Sequence, residues 1–245
     1  MVATTDDRIV LVTGANKGIG FEVARQLAQQ GLIVILTARD ASKSADAVQQ
    51  LAGEKLNVIA KTVDVADDDS IHRLAAEIEA EFGRLDILVN NAAAYVDWME
   101  TASKADLNAV QTVLETNLFG AWRMCQTFLP LLRKSEHGRI VNVSSGAGSH
   151  GDLQFGLTTN QGASASYGIS KAALNALTSK LAAELDGSSI LINAVCPGLT
   201  ATAPGMEAMG ARPIPEGAAS VIWAALLPDD GPSGGFFRDG KPLPW

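Results

Sequence analysis

Side chains of the usual metal-binding and redox kinds are scarce in this chain. It has two cysteines, Cys125 and Cys196, far apart and at no metal or redox spacing. It has three histidines, His72, His137 and His150, none paired at ligand spacing, so no metal site is expected. Basic residues are in deficit: 19 Lys and Arg against 27 Asp and Glu give a formal net charge of −8. That balance argues against nucleic acid or an anionic membrane as a partner. No apolar run approaches the roughly 18 residues that a membrane helix needs. The opening "MVATTDDR" is polar and acidic with no apolar signal core, so no export signal is expected. Pro/Ser linkers, repeats and low-complexity tracts are missing too. Together these absences fit a reducing, cytoplasmic setting and a single domain over residues 1–245.

What is present is an alternation. Hydrophobic residues make up 47% of the chain and charged residues 19%, enough to fill a sizeable core. Short β-branched runs at 8–13, 32–38, 57–64, 85–90, 138–144 and 190–195 are mostly apolar on both faces, as strands buried between two helix layers should be. Helical patterns fall between them, at about 18–30, 41–53, 68–82, 104–133 and 165–186, with a further one near 216–227. Gly31, Gly53 and Gly83 follow three of these, where helix C-termini favour glycine. The alternation predicts an α/β fold, a Rossmann-type doubly wound parallel sheet with helices on both faces. Ligands in such sheets bind at the carboxyl ends of the strands.

The stretch "TGANKGIG" lies at the first such end. Gly14, Gly18 and Gly20 allow a tight turn and a close approach of the backbone to a pyrophosphate. The following helix presents unpaired N–H groups and a positive dipole end. A glycine-rich turn that only packs helix on strand is the bland alternative, and the strand before and helix after weigh against it. A ribose-binding acid is expected about 20 residues further on. The second strand instead ends in "TARD", with Ala38 in the acid's place and Arg39 next to it. Arg39 and Lys17 suit a 2′-phosphate, one as a bidentate fork and the other as a point charge, which favours NADP(H) over NAD(H). Two solvated surface cations are the other reading. Asp40, in "DASK", reads as a helix N-cap.

Five further stretches carry polar groups at strand ends or on helices. "YGISK" spaces Tyr167 and Lys171 four apart, on one helix face. A free tyrosine has a pKa of about 10, and a neighbouring cation lowers it. Such a phenol gives a proton to a carbonyl oxygen or takes one from an alcohol. Alone, the pair is also what an exposed helix shows by chance. Ser144 and Ser145 end the fifth strand, where a hydroxyl reaches the same substrate oxygen or merely caps a turn. Asn117, in "TNLFG", sits in a helical pattern that disfavours it, which points to an interior hydrogen-bonding role such as holding water near Lys171. Asn90 and Asn91 with small alanines end the fourth strand, and Asp64 and Val65 end the third within reach of an adenine.

The ordered set "TGANKGIG", "DV", "NNAA", "NLFG", "NVSS", "YGISK" and "PG" resembles the short-chain dehydrogenase/reductase family over nearly the whole chain. Within it, "GANKGIG", "LTARD", "NAVCPG", "ALLP" and the terminal tryptophan look most like NADPH-dependent carbonyl reductases. The resemblance implies reduction of aldehydes and ketones, with Tyr167 as acid-base residue. Lys171 would bind the nicotinamide ribose and tune Tyr167, Ser145 would orient the carbonyl, and Asn117 would support a proton-relay water. It implies NADP(H) contacts at Gly14, Asn16, Lys17, Gly18, Ile19, Gly20, Arg39, Asp64, Val65 and Asn91, at Tyr167 and Lys171, and at Pro197, Gly198, Thr200 and Thr202 in the loop over the nicotinamide. Alternatives within the chemistry are a pathway-specific 3-oxoacyl reductase or an alcohol or hydroxysteroid-type dehydrogenase. A non-catalytic NADP(H) sensor is a reading of another class, against which the intact Asn117, Ser145, Tyr167 and Lys171 set argues.

The sequence also departs from the family. Ser145 and Tyr167 are 22 positions apart, further than in many members, because of the Gly-rich polar stretch "HGDLQFGLTTNQGAS". Monomeric carbonyl reductases carry a longer insertion, so both a homo-oligomer such as a dimer and a monomer stay open. Ala93 replaces the glycine of the N-N-A-G motif, and Leu199 stands where animal carbonyl reductases have tryptophan. The expected partner is a small-molecule carbonyl substrate, lodged between 94–100, the insertion and 199–213. Tyr95, Trp98, Phe155, Leu199, Met206 and Met209 are its candidate apolar walls, with core packing as the alternative for each. No basic cluster lies there, which favours an apolar carbonyl over a phosphorylated one.

Overall fold

The computed structural model describes residues 7–95 and 97–245. Most of the N-terminal stretch read for an export signal, and Val96 within the 94–100 wall, lie outside the described residues.

Alternating burial builds the fold. In β1 (Ile9–Val12), Ile9 and Leu11 face one helix layer while Val10 and Val12 face the other. The same holds for β2 (Ile33–Ala38), β4 (Ile87–Asn90) and β5 (Arg139–Val143), whose buried residues are shared between the two cores. One layer is α1 (Gly18–Gln29), α2 (Ala41–Leu51) and α7 (Ile214–Ala225), packed on Val10, Val34, Val89 and Val141. The other is α3 (Asp68–Phe82), α5 (Ala121–Leu132) and α6 (Ala165–Glu184), packed on Leu11, Ile35, Leu88 and Ile140. The sheet runs β3-β2-β1-β4-β5-β6-β7-β8, where β3 is Val58–Thr62, β6 Leu191–Val195, β7 Phe236–Arg238 and β8 Lys241–Pro242. All neighbours are parallel except β7 and β8. The chain leaves β1 first toward β2 and β3, then crosses back to β4 on the other side. This reversal opens a crevice at the carboxyl ends of β1 and β4, where ligands bind in such sheets. No helix among the described residues is long and apolar enough to cross a membrane.

Two expectations need correction, and two strands were not foreseen. The helix expected over 104–133 is three pieces: α4 (Leu107–Leu114), a π-helical segment Glu115–Gly120, and α5. The widened turn holds Asn117, whose side chain is tied to a neighbouring strand end instead of facing solvent. Gly53 is not a left-handed terminator; α2 runs into a short 3₁₀ turn and Lys55, with φ 54°, makes the reversal. Gly83 does end α3 at φ 74°. The strands β7 and β8 have no counterpart in the sequence pattern, because three and two residues in a Gly- and Pro-rich tail show no alternation to read.

Candidate active site

The loop after β1 is built from close approaches that only glycine permits. Gly14 has φ +61°, and a Cβ on it would stand 2.8 Å from Ala92 Cα. A Cβ on Gly20 would stand 2.4 Å from Asn91 Nδ2. The Asn91 side chain anchors the loop. Its amide donates to the Thr13 and Gly14 carbonyls at 2.9 and 3.0 Å, clamping the loop to the end of β4. Thr13 Oγ1 in turn accepts from Asn91 N and Ala92 N, each at 3.0 Å. Asn16 and Ile19 are partly exposed along the same turn, and Lys17 is exposed at the cap of α1. Arg39 is exposed at the end of β2, and Asp40 caps α2 by accepting from Ser42 N at 2.9 Å. Asp64 and Val65 follow β3; the Asp64 carboxylate accepts from Ala66 N at 3.0 Å, and Val65 is buried against Gly120.

Across the crevice, α6 brings Tyr167 and Lys171 to one face. Lys171 is 3% exposed and donates from Nζ to the Val143 carbonyl at 2.8 Å. Its Nζ stands 5.6 Å from the Tyr167 ring centre. Burial pushes the lysine down to about 8. The Ser145 hydroxyl hydrogen-bonds the half-buried Tyr167 and favours its charged form, but burial acts more strongly and raises the phenol above its ordinary value. One of the three ammonium donors of Lys171 is held by the Val143 carbonyl, and burial sets the direction of the Tyr167 shift. The two serines also separate. Ser144 is buried and donates to Asn175 Oδ1 at 2.5 Å, whereas Ser145 stays partly open beside the phenol.

Asn117 is 1% exposed, and its amide is fully engaged. Nδ2 donates to the Ala94 carbonyl at 2.8 Å and to Ser170 Oγ at 2.9 Å, and Oδ1 accepts from Ala94 N at 2.7 Å. The side chain thus joins the stretch after β4 to the catalytic helix, and leaves only one lone pair on Oδ1 for any water.

The loop after β6 closes the site on a third side. Pro197 is buried, and Gly198 has φ +74° with the Arg212 guanidinium where a side chain would go. Thr200 is 4% exposed, and its hydroxyl turns inward to the Pro197 and Gly198 carbonyls at 3.2 and 3.1 Å, so it braces the loop and does not face the crevice. Thr202 is exposed and lies over the glycine loop, 3.6 Å from where a Gly18 Cβ would be. Of the expected apolar walls, Tyr95, Trp98 and Met209 are more than half exposed and are not core, while Phe155, Leu199 and Met206 are partly buried.

Two features had no signal in the sequence. The Cys196 thiol accepts from Gly146 N at 3.2 Å, Gly198 N at 3.3 Å and Arg238 Nη2 at 3.2 Å, and Arg238 also pairs with Asp152 of the insertion at 2.8 Å. Glu100 caps α6, accepting from Ser166 N at 2.8 Å. Both depend on residues distant in the chain, which local patterns cannot pair.

Comparison with known proteins agrees with this geometry. Residues 8–211 match the family described as short chain dehydrogenase. "Short-chain dehydrogenase/reductase 1" of Saponaria officinalis is 35% identical, covering 97% of this chain and 96% of the relative. "Carbonyl reductase [NADPH] 3" of mouse (Mus musculus) is 35% identical, covering 97% and 98%. The structure of NADPH-bound carbonyl reductase from chicken fatty liver superposes with a TM-score of 0.85 at 30% identity, covering 98% of this chain and 99% of that one. Sheet order, glycine loop and end-to-end similarity converge, and the chain belongs to the short-chain dehydrogenase/reductase family of oxidoreductases.

Proposed function

We propose that the protein reduces small, mostly apolar aldehydes and ketones to alcohols with NADPH. The observation that carries the reading is the convergence of Tyr167, Ser145 and Lys171 on one side of the crevice, opposite the glycine loop. The phenol is protonated at neutral pH, as a donor to a carbonyl oxygen must be. The Ser145 hydroxyl beside it donates to the same oxygen and fixes its position.

The residues present fit a dinucleotide. The turn at Gly14 and Gly20 is a cradle that any Cβ would fill, so backbone N–H groups at the start of α1 approach a pyrophosphate closely. Lys17 and Arg39 are exposed and have no ion pair among the described residues, free to hold a 2′-phosphate. This is the local positive site that an acidic chain needs for such a ligand. Asp64 and Val65 flank the adenine, and Lys171, Pro197, Gly198 and Thr202 border the nicotinamide end, with Thr200 bracing that loop from behind. Bound there, the cofactor supplies the hydride that the carbonyl carbon accepts. The mouse and chicken relatives, both named for carbonyl reduction with NADPH, support the same reading.

The test is initial-rate loss of reduced-nicotinamide absorbance over a panel of aldehydes and ketones. Turnover with NADPH well above that with NADH is expected. Preference for NADH overturns the cofactor assignment. Turnover only of alcohols with the oxidised cofactor overturns the direction.

A further inference from the structure

Three aromatic rings meet at the mouth of the site. Tyr95 and Trp98 lie 5.2 Å apart at 31°. Each meets Tyr167 edge-on, Tyr95 at 5.9 Å and 83°, Trp98 at 5.7 Å and 67°. Tyr95 and Trp98 are each 53% exposed, so each keeps open π surface beside the phenol. Exposed rings on a loop normally lose fixed positions to side-chain entropy. Here the main chain that carries them is fastened at both ends. Asn117 grips Ala94 on one side. On the other, Ser164 Oγ donates to the Trp98 carbonyl at 3.0 Å, and Ala165 N donates to the Glu100 carbonyl at 3.2 Å. The Glu100 carboxylate supplies the cap for α6 that Ser164, in a left-handed conformation at φ 57°, does not. The wall and the first turn of the helix bearing Tyr167 are therefore one unit. Its charged neighbours, Asp97 and Glu100, are acidic and disfavour an anionic guest.

We propose that Tyr95 and Trp98 form the specificity-determining wall of the carbonyl site. The wall selects carbonyl compounds whose C=O is borne on a flat unsaturated ring over saturated compounds of the same size. The inference rests on the proposed function for the reacting carbonyl and adds to it the class of group beside that carbonyl. Two rings set beside the proton donor, on a main chain anchored at Ala94, Trp98 and Glu100, offer offset and edge-on contacts that a planar π system completes and a puckered ring does not.

The test compares kcat/KM for benzaldehyde and cyclohexanecarbaldehyde at saturating NADPH, in the wild type, Trp98→Ala and Trp98→Phe. The change in the ratio between variants is read, which cancels the different intrinsic reactivities of the two aldehydes. Trp98→Ala should lower the benzaldehyde preference roughly three- to tenfold, mainly through KM. Trp98→Phe should restore most of it, and NADPH affinity should stay unchanged in both. Equal losses for the two aldehydes would overturn the proposal and reduce Trp98 to a support for Tyr167. An unchanged ratio would overturn it as well. Wild-type turnover of neither aldehyde counts against the reductase reading and leaves the wall to a separate measurement. Saturation-transfer NMR with benzamide against cyclohexanecarboxamide decides it: stronger transfer to benzamide that is lost in Trp98→Ala supports the wall, and equal transfer overturns it.

Discussion

Burial pulls the two titratable groups of α6 in opposite directions, and each shift has a measurable consequence. Burial raises Tyr167 above its ordinary value, so the phenol is protonated at neutral pH. Lys171 falls to about 8 from an ordinary 10.5. Between those two pH values the unfolded chain holds a proton that the folded chain has released, so this group's contribution to stability rises with pH across that window. Below pH 8 the full cost of burying the ammonium is present. Replacing Lys171 by Met removes that cost and the pH dependence with it. Chemical denaturation of the cofactor-free protein should show the variant gaining most over wild type near pH 7, with the gap shrinking by about 3 kcal/mol by pH 10. Parallel curves would show that the ammonium is not desolvated. Arg39 acts at the same scale. Arg39→Ala should weaken NADPH binding by about tenfold or more, the worth of a charged hydrogen-bonded contact, and leave NADH binding nearly unchanged. Titration of both cofactors checks this, and equal losses would remove Arg39 from 2′-phosphate recognition.

The elements that shape the site are short turns whose residues have no freedom of choice. At Gly14 a methyl group meets two penalties, a left-handed backbone and a contact with Ala92. Gly14→Ala should cost about 2 kcal/mol of stability or more and weaken cofactor binding with it. Gly53 is the control: nothing lies within 4 Å of its Cβ position and its φ is not positive. Gly53→Ala should be neutral or raise stability by up to about 1 kcal/mol through the unfolded chain. Thermal unfolding of both variants separates a glycine required by geometry from one merely placed at a helix end. The sequence pattern sets Gly14 in a ligand-binding turn and Gly53 at a helix end, and the two variants test that distinction. The long helix through Asn117 shows a limit of such patterns. Apolar spacing carries the pattern through 104–133, and the π-helical turn is set by contacts to Ala94 and Ser170 that no local spacing encodes.

Over the whole molecule, six of the eight strands were legible: five are apolar runs buried within the sheet, and β3, only partly buried at the sheet edge, still carries a β-branched run. The last two were not, because their support is tertiary. β7 is held by pairing with β6 and by Arg238 on Asp152 of the insertion, and the tail after β8 by His150 N on the Trp245 carbonyl at 3.0 Å, Ser149 Oγ on the Pro244 carbonyl at 2.7 Å and the stack of Trp245 on Phe236. The site divides the same way. Tyr167, Lys171, Ser145 and the glycine loop stand out as motifs. The Cys196–Arg238–Asp152 cluster, the cap from Glu100 and the ring contacts with Tyr95 and Trp98 join segments tens of residues apart. Motif residues also make contacts that no local pattern shows, Asn91 clamping the glycine loop and Thr200 bracing its own turn.

The proton that Tyr167 is proposed to give in an NADPH-dependent carbonyl reduction comes from its hydroxyl, so NADPH oxidation with benzaldehyde, and NADPH binding, should be measured in the wild type and Tyr167→Phe. Wild-type turnover is expected, with a loss on the order of 10²–10⁴-fold in the variant and NADPH affinity within a few-fold of wild type. Turnover that survives the loss of the hydroxyl would contradict this role of Tyr167.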